Sequence, residues 1–213
     1  MKNNIFKTKS FWLSMAICLL PVVLSAVFYN KMPDKVATHF GTDFAPDGFS
    51  PKWQAAFMIP SFMLVLNIFT WAVIEADPKK QGINKHLKSI IRWTIPILSL
   101  VMQSGIVMYS INENINIARF VPLIIGILFI VIGNYLPKCK QNFTTGIKIP
   151  WTLASEENWN RTHRMAGKLW IAGGFVMTIY TFFEIHIAVF VGMIFIVTVV
   201  PAVYSYRLYK KGI

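Results

Sequence analysis

The sequence predicts an all-α membrane protein, a bundle of six transmembrane helices with an interfacial helix before the fifth. Three observations carry that expectation. Only 14% of the 213 residues are charged, whereas a soluble domain carries about a quarter. The hydrophobic residues, 55% of the chain, gather into runs of membrane length. Between the runs lie short segments that hold nearly every Lys and Arg. A bilayer selects such clumping, because an ionised side chain at its centre costs at least about 3 kcal/mol.

About 20 mostly apolar residues are needed to span a bilayer as a helix. Residues 11–29, 53–74, 93–111 and 187–206 reach that length, and 120–136 lies at its short limit. The weakest run, 169–183, is bounded by Lys168 and Glu184, whose side chains reach toward the interfaces and lengthen it. Only Glu184 and His186 punctuate the step to the last run, so the two segments read as a tight helical hairpin. Lys2, Lys7 and Lys9 precede the first run, as in a signal peptide, but its apolar part exceeds the roughly 7–15 residues of such signals. It is therefore read as a retained span. Pro21, Pro60, Pro96 and Pro201 fall within spans and predict kinks. Asn67 and Gln103 are expected to hydrogen-bond between helices. Glu75 and Glu184 lie at span ends.

The positive charges give a direction. Seventeen of the 21 Lys and Arg fall on one side, in segments 2–9, 79–92, 138–168 and 207–211. The other side has Lys31, Lys35, Lys52 and Arg119. Positive charge stays in the cytoplasm, so the crowded side is inside and both termini are expected there, with the chain in the cell membrane. One polytopic domain over 1–213 follows: a first hairpin 10–75 with outer loop 30–52, a second hairpin 90–136, a cytoplasmic loop 137–167 and a third hairpin 168–206. The net charge of +12 is thus a topology signal. Direct nucleic-acid binding is not expected of a chain with such apolar runs.

The outer loop mixes turn formers (Pro33, Gly41, Pro46-Asp47-Gly48, Pro51) with Phe40, Phe44, Phe49 and Trp53, and predicts a compact cap on the membrane surface. Asp34, His39, Asp43 and Asp47 have no metal-site spacing, so neither metal nor cofactor is expected. Cys18 lies in the first span and Cys139 in the basic loop, and no disulfide is expected between them.

The inner loop is the densest segment. Pro137 and Pro150 end regular structure and Gly146 marks a turn. Ser155 before Glu156 and Glu157 reads as a helix start, a hydroxyl cap followed by acids at the positive end of the helix dipole. In that helix Glu157 and Arg161 form an i, i+4 pair, and Trp159, His163 and Gly167 share a face. Trp151, Trp159 and Trp170 among basic residues suit the headgroup region. His163 near two Glu resembles an acid–base pair, yet no His-Glu-x-x-His, Gly-x-Ser-x-Gly or phosphate-loop motif is present, and no enzyme is expected.

The segment Gly133-Asn134…Leu136-Pro137…Asn142…Gly146-Ile-Lys-Ile-Pro-Trp-Thr-Leu153…Trp159…Thr162-His163…Gly167 resembles the signature of the SdpI family of bacterial immunity proteins. Lys148 stands where that family has Arg and Ile149 where it has Thr. The outer loop, Met32-Pro33…Thr38-His39-Phe40-Gly41…Lys52, is similar to the uncharacterised domain at the N-terminus of these proteins. The resemblance implies a toxin-resistance protein without enzymatic activity, protecting its cell against an exported toxic peptide. It also implies signal transduction, through a cytoplasmic ArsR-type repressor held at the membrane. His39 and Phe40 outside, with Asn134, Asn142, Gly146, Pro150, Trp151, Thr152, Trp159 and His163 inside, are then the expected partner-binding residues. Membrane lipids are the remaining partner. Two alternatives stay open: a small transporter or exporter, and a membrane enzyme acting on envelope lipids with His163 as base.

Overall fold

A computed structural model of the chain describes residues 5–42, 45–112, 117–183 and 186–213. Lys2, Asp43, Phe44 and Glu184, used above, lie outside them. The chain folds as two compact units, one of residues 1–75 and 89–117, the other of 76–88 and 118–213.

The first unit is built on three long helices, α1 (Lys9–Phe28), α2 (Ile59–Ala76) and α3 (Lys85–Ile111, from Ser89 onward). Their contacts combine aromatic packing with a few buried hydrogen bonds. Phe11 of α1 meets Trp71 of α2 edge-on at 5.4 Å. Asn67 of α2 donates to Ser14 of α1 at 3.2 Å. Gln103 of α3 donates to Ser25 of α1 at 2.8 Å and to the Ala55 carbonyl at 3.0 Å. Both amides therefore join helices, as their isolation in apolar sequence predicts. Ala55 lies in a π-helical turn, Gln54–Met58, that leads into α2. Pro60 has no N–H to offer the Ala55 carbonyl across that wide turn, and the Gln103 amide takes the place. Arg92 of α3 pairs with Glu75 and lies over Trp71, 3.9 Å from the ring centroid. Glu75 is thereby drawn out of water: both charged side chains are about 15% exposed.

Between α1 and α2 lie two strands, which correct the all-α expectation. Strands β1 (Lys35–Phe40) and β2 (Pro46–Pro51) form an antiparallel hairpin. Three prolines and two glycines oppose a helix there, while Val36 and Thr38 favour a strand. Val36 is buried with Met32, Ala55 and Val107. The hairpin therefore closes over the end of this unit rather than trailing as a loop.

The second unit contains α4 (Ile117–Tyr135), a short α5 (Pro150–Ala154), α6 (Glu156–Tyr180) and α7 (Ile187–Lys210). The expected interfacial helix and fifth span are one unbroken helix, α6. Its glycines set the packing. A Cβ on Gly133 of α4 would meet the Gly167 carbonyl at 2.9 Å, and one on Gly167 would meet that of Gly133 at 2.7 Å. Seven residues along each helix the relation repeats between Gly126 and Gly174, at 2.9 and 2.5 Å. Backbones come this close only where side chains are absent, the small-residue packing typical of membrane helices. Gly173 faces Val197 of α7 in the same way, and the Trp170 indole donates to the Val197 carbonyl at 2.8 Å.

Five helical segments among the described residues are long and apolar enough to cross a membrane: Lys9–Lys31, Gln54–Ala76, Lys85–Ile111, Arg119–Lys138 and Ile187–Lys210. Phe62, Phe69, Phe175 and Phe195 are more than half exposed, an arrangement suited to lipid rather than water. The protein is a multi-pass membrane protein. Helix α6 is not among the five, because its first half carries Glu156, Glu157, Arg161, Arg164 and Lys168. Its apolar half from Leu169 is only about 18 Å long at 1.5 Å per residue.

Candidate functional site

The segment between α4 and α6 folds without a sheet, with one 3-10 turn (Leu136–Lys138) and the five-residue α5, so its backbone depends on side chains. Asn142 is fully buried. Its carbonyl accepts the backbone N–H groups of Thr144 (2.9 Å) and Thr145 (2.7 Å). Its amide donates to the Lys140 carbonyl at 2.9 Å and toward the Cys139 sulfur at 3.2 Å. One side chain thus holds a whole turn in place. Burial raises the pKa of the Cys139 thiol, against the hydrogen bonds of Thr145 and Asn142 that lower it. That thiol is inert packing.

The turn runs into Gly146, whose φ of +108° lies where L side chains are strained. A Cβ there would also strike His163 Nε2 and, at 3.0 Å, the Trp159 ring. Because nothing intervenes, the Ile147 N–H reaches His163 Nε2 at 2.9 Å. That nitrogen is an acceptor, so the proton sits on Nδ1, which donates to the Trp159 carbonyl at 2.8 Å. The imidazole stacks on Trp159, with centroids 4.0 Å apart and planes 19° apart. The indole in turn donates to the Cys139 carbonyl at 2.7 Å. Burial pushes the His163 pKa down to about 4, despite the Trp159 carbonyl, which favours the charged form. Both ring nitrogens are engaged and the ring is 1% exposed. No lone pair is left for a substrate proton, and the alternative of an enzyme with His163 as base loses its base.

Thr152 closes the far side. Its hydroxyl accepts the Ile149 N–H at 3.1 Å and lies 2.7 Å from the Ile147 carbonyl. Pro150 occupies the first position of α5, where its missing N–H costs nothing. Ser155 caps α6 by accepting the Asn158 N–H at 3.2 Å, ahead of Glu156 and Glu157. Glu157 pairs with Arg161 at 2.6 Å. The cap, the ion pair and the common buried face of Trp159, His163 and Gly167 are as the sequence predicts.

Asn142, Gly146, Thr152, Trp159 and His163 therefore meet in one network. Trp151 stands apart from it, against Tyr206 and Tyr209 of α7 at 5.0 and 6.2 Å. Asn134 is exposed in the last turn of α4. In the first unit His39 sits at an irregularity of the hairpin register, opposite Gly48, and its Nδ1 lies 2.5 Å from Asp47. Phe40 meets Tyr109 of α3 edge-on at 5.2 Å.

Three residues of the network have no signal in the sequence beyond being polar. Asp77 is buried and accepts the Phe143 N–H at 3.0 Å, the Thr144 hydroxyl at 2.5 Å and the Lys79 N–H at 2.7 Å. Gln141 donates to the Thr152 and Leu153 carbonyls, both at 2.9 Å. Asn158 donates to the carbonyls of Ser205 and Ile213, at 3.0 and 3.1 Å, and accepts the Ser205 hydroxyl at 2.6 Å.

Residues 138–205, which hold this network together with most of α6 and α7, match the model of the SdpI/YfhL protein family. That segment of the chain is similar to this family. Residues 16–64 match a domain of unknown function, DUF1648, and contain the hairpin with His39 and Phe40. The SdpI/YfhL match includes every expected inner residue except Asn134. The immunity protein SdpI of Bacillus subtilis (strain 168) is 27% identical over 213 residues, covering 99% of this chain and 98% of that protein. No solved structure matches the chain.

Proposed function

We propose that this protein is a non-enzymatic membrane immunity protein that protects the cell making it against an exported toxic peptide. The observation that carries the proposal is similarity to an immunity protein along the whole length of both chains. A shared segment alone would leave the rest of the molecule free to differ; here both matched segments keep the same order. The segregation of positive charge supports six spans, with α6 as the fifth and both termini in the cytoplasm. The glycine seam between α4 and α6 supports α6 in that place, since α4 is itself apolar enough to span. In this topology the hairpin with His39 and Phe40 faces outward, where it meets the peptide. The buried network around Asn142 and His163 lies on the inner side, where it holds the basic loop in one shape for a cytoplasmic partner, for which an ArsR-type repressor is the candidate.

Expression in a peptide-sensitive strain, followed by challenge with membrane-active peptides secreted by related bacteria, tests the reading. Growth is restored by the wild-type protein. A hairpin variant, His39→Ala with Phe40→Ala, loses protection while remaining in the membrane. Failure to protect against any such peptide at normal expression levels would remove the proposal.

A further inference from the structure

Helix α6 spends one face on packing, through Trp159, His163, Ala166 and Gly167. Its opposite side presents Arg161, Arg164, Met165, Lys168 and Leu169 at the i, i+3, i+4, i+7 and i+8 positions of one stripe. With Tyr204 of α7 these residues line an open cleft of about 680 Å³. Three cations face it, and among the described residues no carboxylate lines it. Arg161 is partly occupied by Glu157, whereas the side chains of Arg164 and Lys168 lie exposed. Helix α6 turns from charged to apolar between Lys168 and Leu169. Beside its charged half runs the antiparallel α7, a candidate span: Ser205 meets Asn158 and Val197 meets Trp170. Cations of α6 next to an apolar run of α7 suit the boundary between hydrocarbon and headgroups.

We infer that this cleft binds the phosphate of an anionic phospholipid. Arg164 and Lys168 supply charge-assisted donors and Tyr204 a neutral one, and the acyl chains run over Met165 and Leu169. A free phosphate ion or an acidic protein segment would use the same cations but has no use for the apolar floor. The inference depends on α7 as a span and not on the immunity proposal.

The full-length protein in a neutral detergent, offered phosphatidylglycerol and phosphatidylcholine in equal amounts, provides the test, with retained lipid read by native mass spectrometry. The wild type is expected to retain phosphatidylglycerol preferentially. Arg164→Gln with Lys168→Gln should bind it roughly thirty-fold more weakly, with an unchanged thermal midpoint in detergent alone. If the double variant unfolds, each single variant carries the same comparison. Equal retention of the two lipids by the wild type, or equal phosphatidylglycerol binding by a folded variant, overturns the assignment. Binding of inorganic phosphate or polyglutamate without any preference for phosphatidylglycerol overturns it too, assigning the cations to a soluble anion.

Discussion

His163 is held as a neutral acceptor, and that state has a consequence for stability. Its pKa in the fold is about 4, against about 6.5 for an unperturbed imidazole. Between those values the unfolded chain binds a proton that the folded chain refuses. The contribution is therefore complete above pH 6.5 and is lost as pH falls toward 4, on the order of 3 kcal/mol in total. Thermal midpoints measured between pH 7 and 4 should fall in the wild type and fall less steeply in His163→Gln; parallel slopes would contradict this account. Gly146 makes a second prediction. Gly146→Ala combines a positive φ with a clash against His163 and Trp159, and should destabilise by roughly 2 kcal/mol or more. Gly212, also at positive φ but with nothing within 4 Å of an added Cβ, should tolerate Ala at about 1 kcal/mol. Denaturation of the two variants side by side separates strain from collision. Gly146 and His163 are legible in the sequence through the family signature, and Gly146 also as a turn former. Asp77, Gln141 and Asn158 are not, because a buried polar residue is identified by partners distant in sequence, and no spacing rule encodes them.

At the scale of elements, α6 carries the expected interfacial helix straight into the apolar stretch from Leu169, one running into the other as the sequence reading has it. Hydropathy divides it at Lys168 into an interfacial helix and a weak span, since each half suits a different solvent. The backbone does not divide, because no residue between Glu156 and Tyr180 breaks a helix, and glycines at 167 and 174 bring it against α4 along both halves. Gly167→Val and Gly174→Val should each force α4 away and lower the thermal midpoint markedly. Gly192→Ala in α7, where an added Cβ meets nothing within 4 Å, should be neutral or slightly stabilising, as helix propensity dictates. Similar losses at all three positions would mean that the seam has no special role. The hairpin is what parts from the sequence reading. Its strands are short and rich in proline and glycine, so alternation is faint, and pairing between β1 and β2 supplies what local preference lacks.

For the whole molecule, the proposed topology can be checked directly. In a background of Cys18→Ala and Cys139→Ser, a cysteine at Thr42 in the hairpin loop should react with an impermeant maleimide in intact cells. One at Lys211 should react only after the membrane is opened, and the reverse pattern would invert the orientation. The sequence by itself determined that the protein lives in a membrane and where its apolar helices run. It also carried the family signature. Hydropathy and charge are sums over neighbouring residues, and the bilayer acts on those sums directly. The tertiary structure alone decided that the outer segment is a hairpin and that α6 packs on α4 through facing glycines. It alone showed that His163 is a sealed acceptor rather than a base. Each of these depends on which groups meet across long stretches of chain: a glycine on one helix against a carbonyl on another, an N–H at 147 against an imidazole at 163.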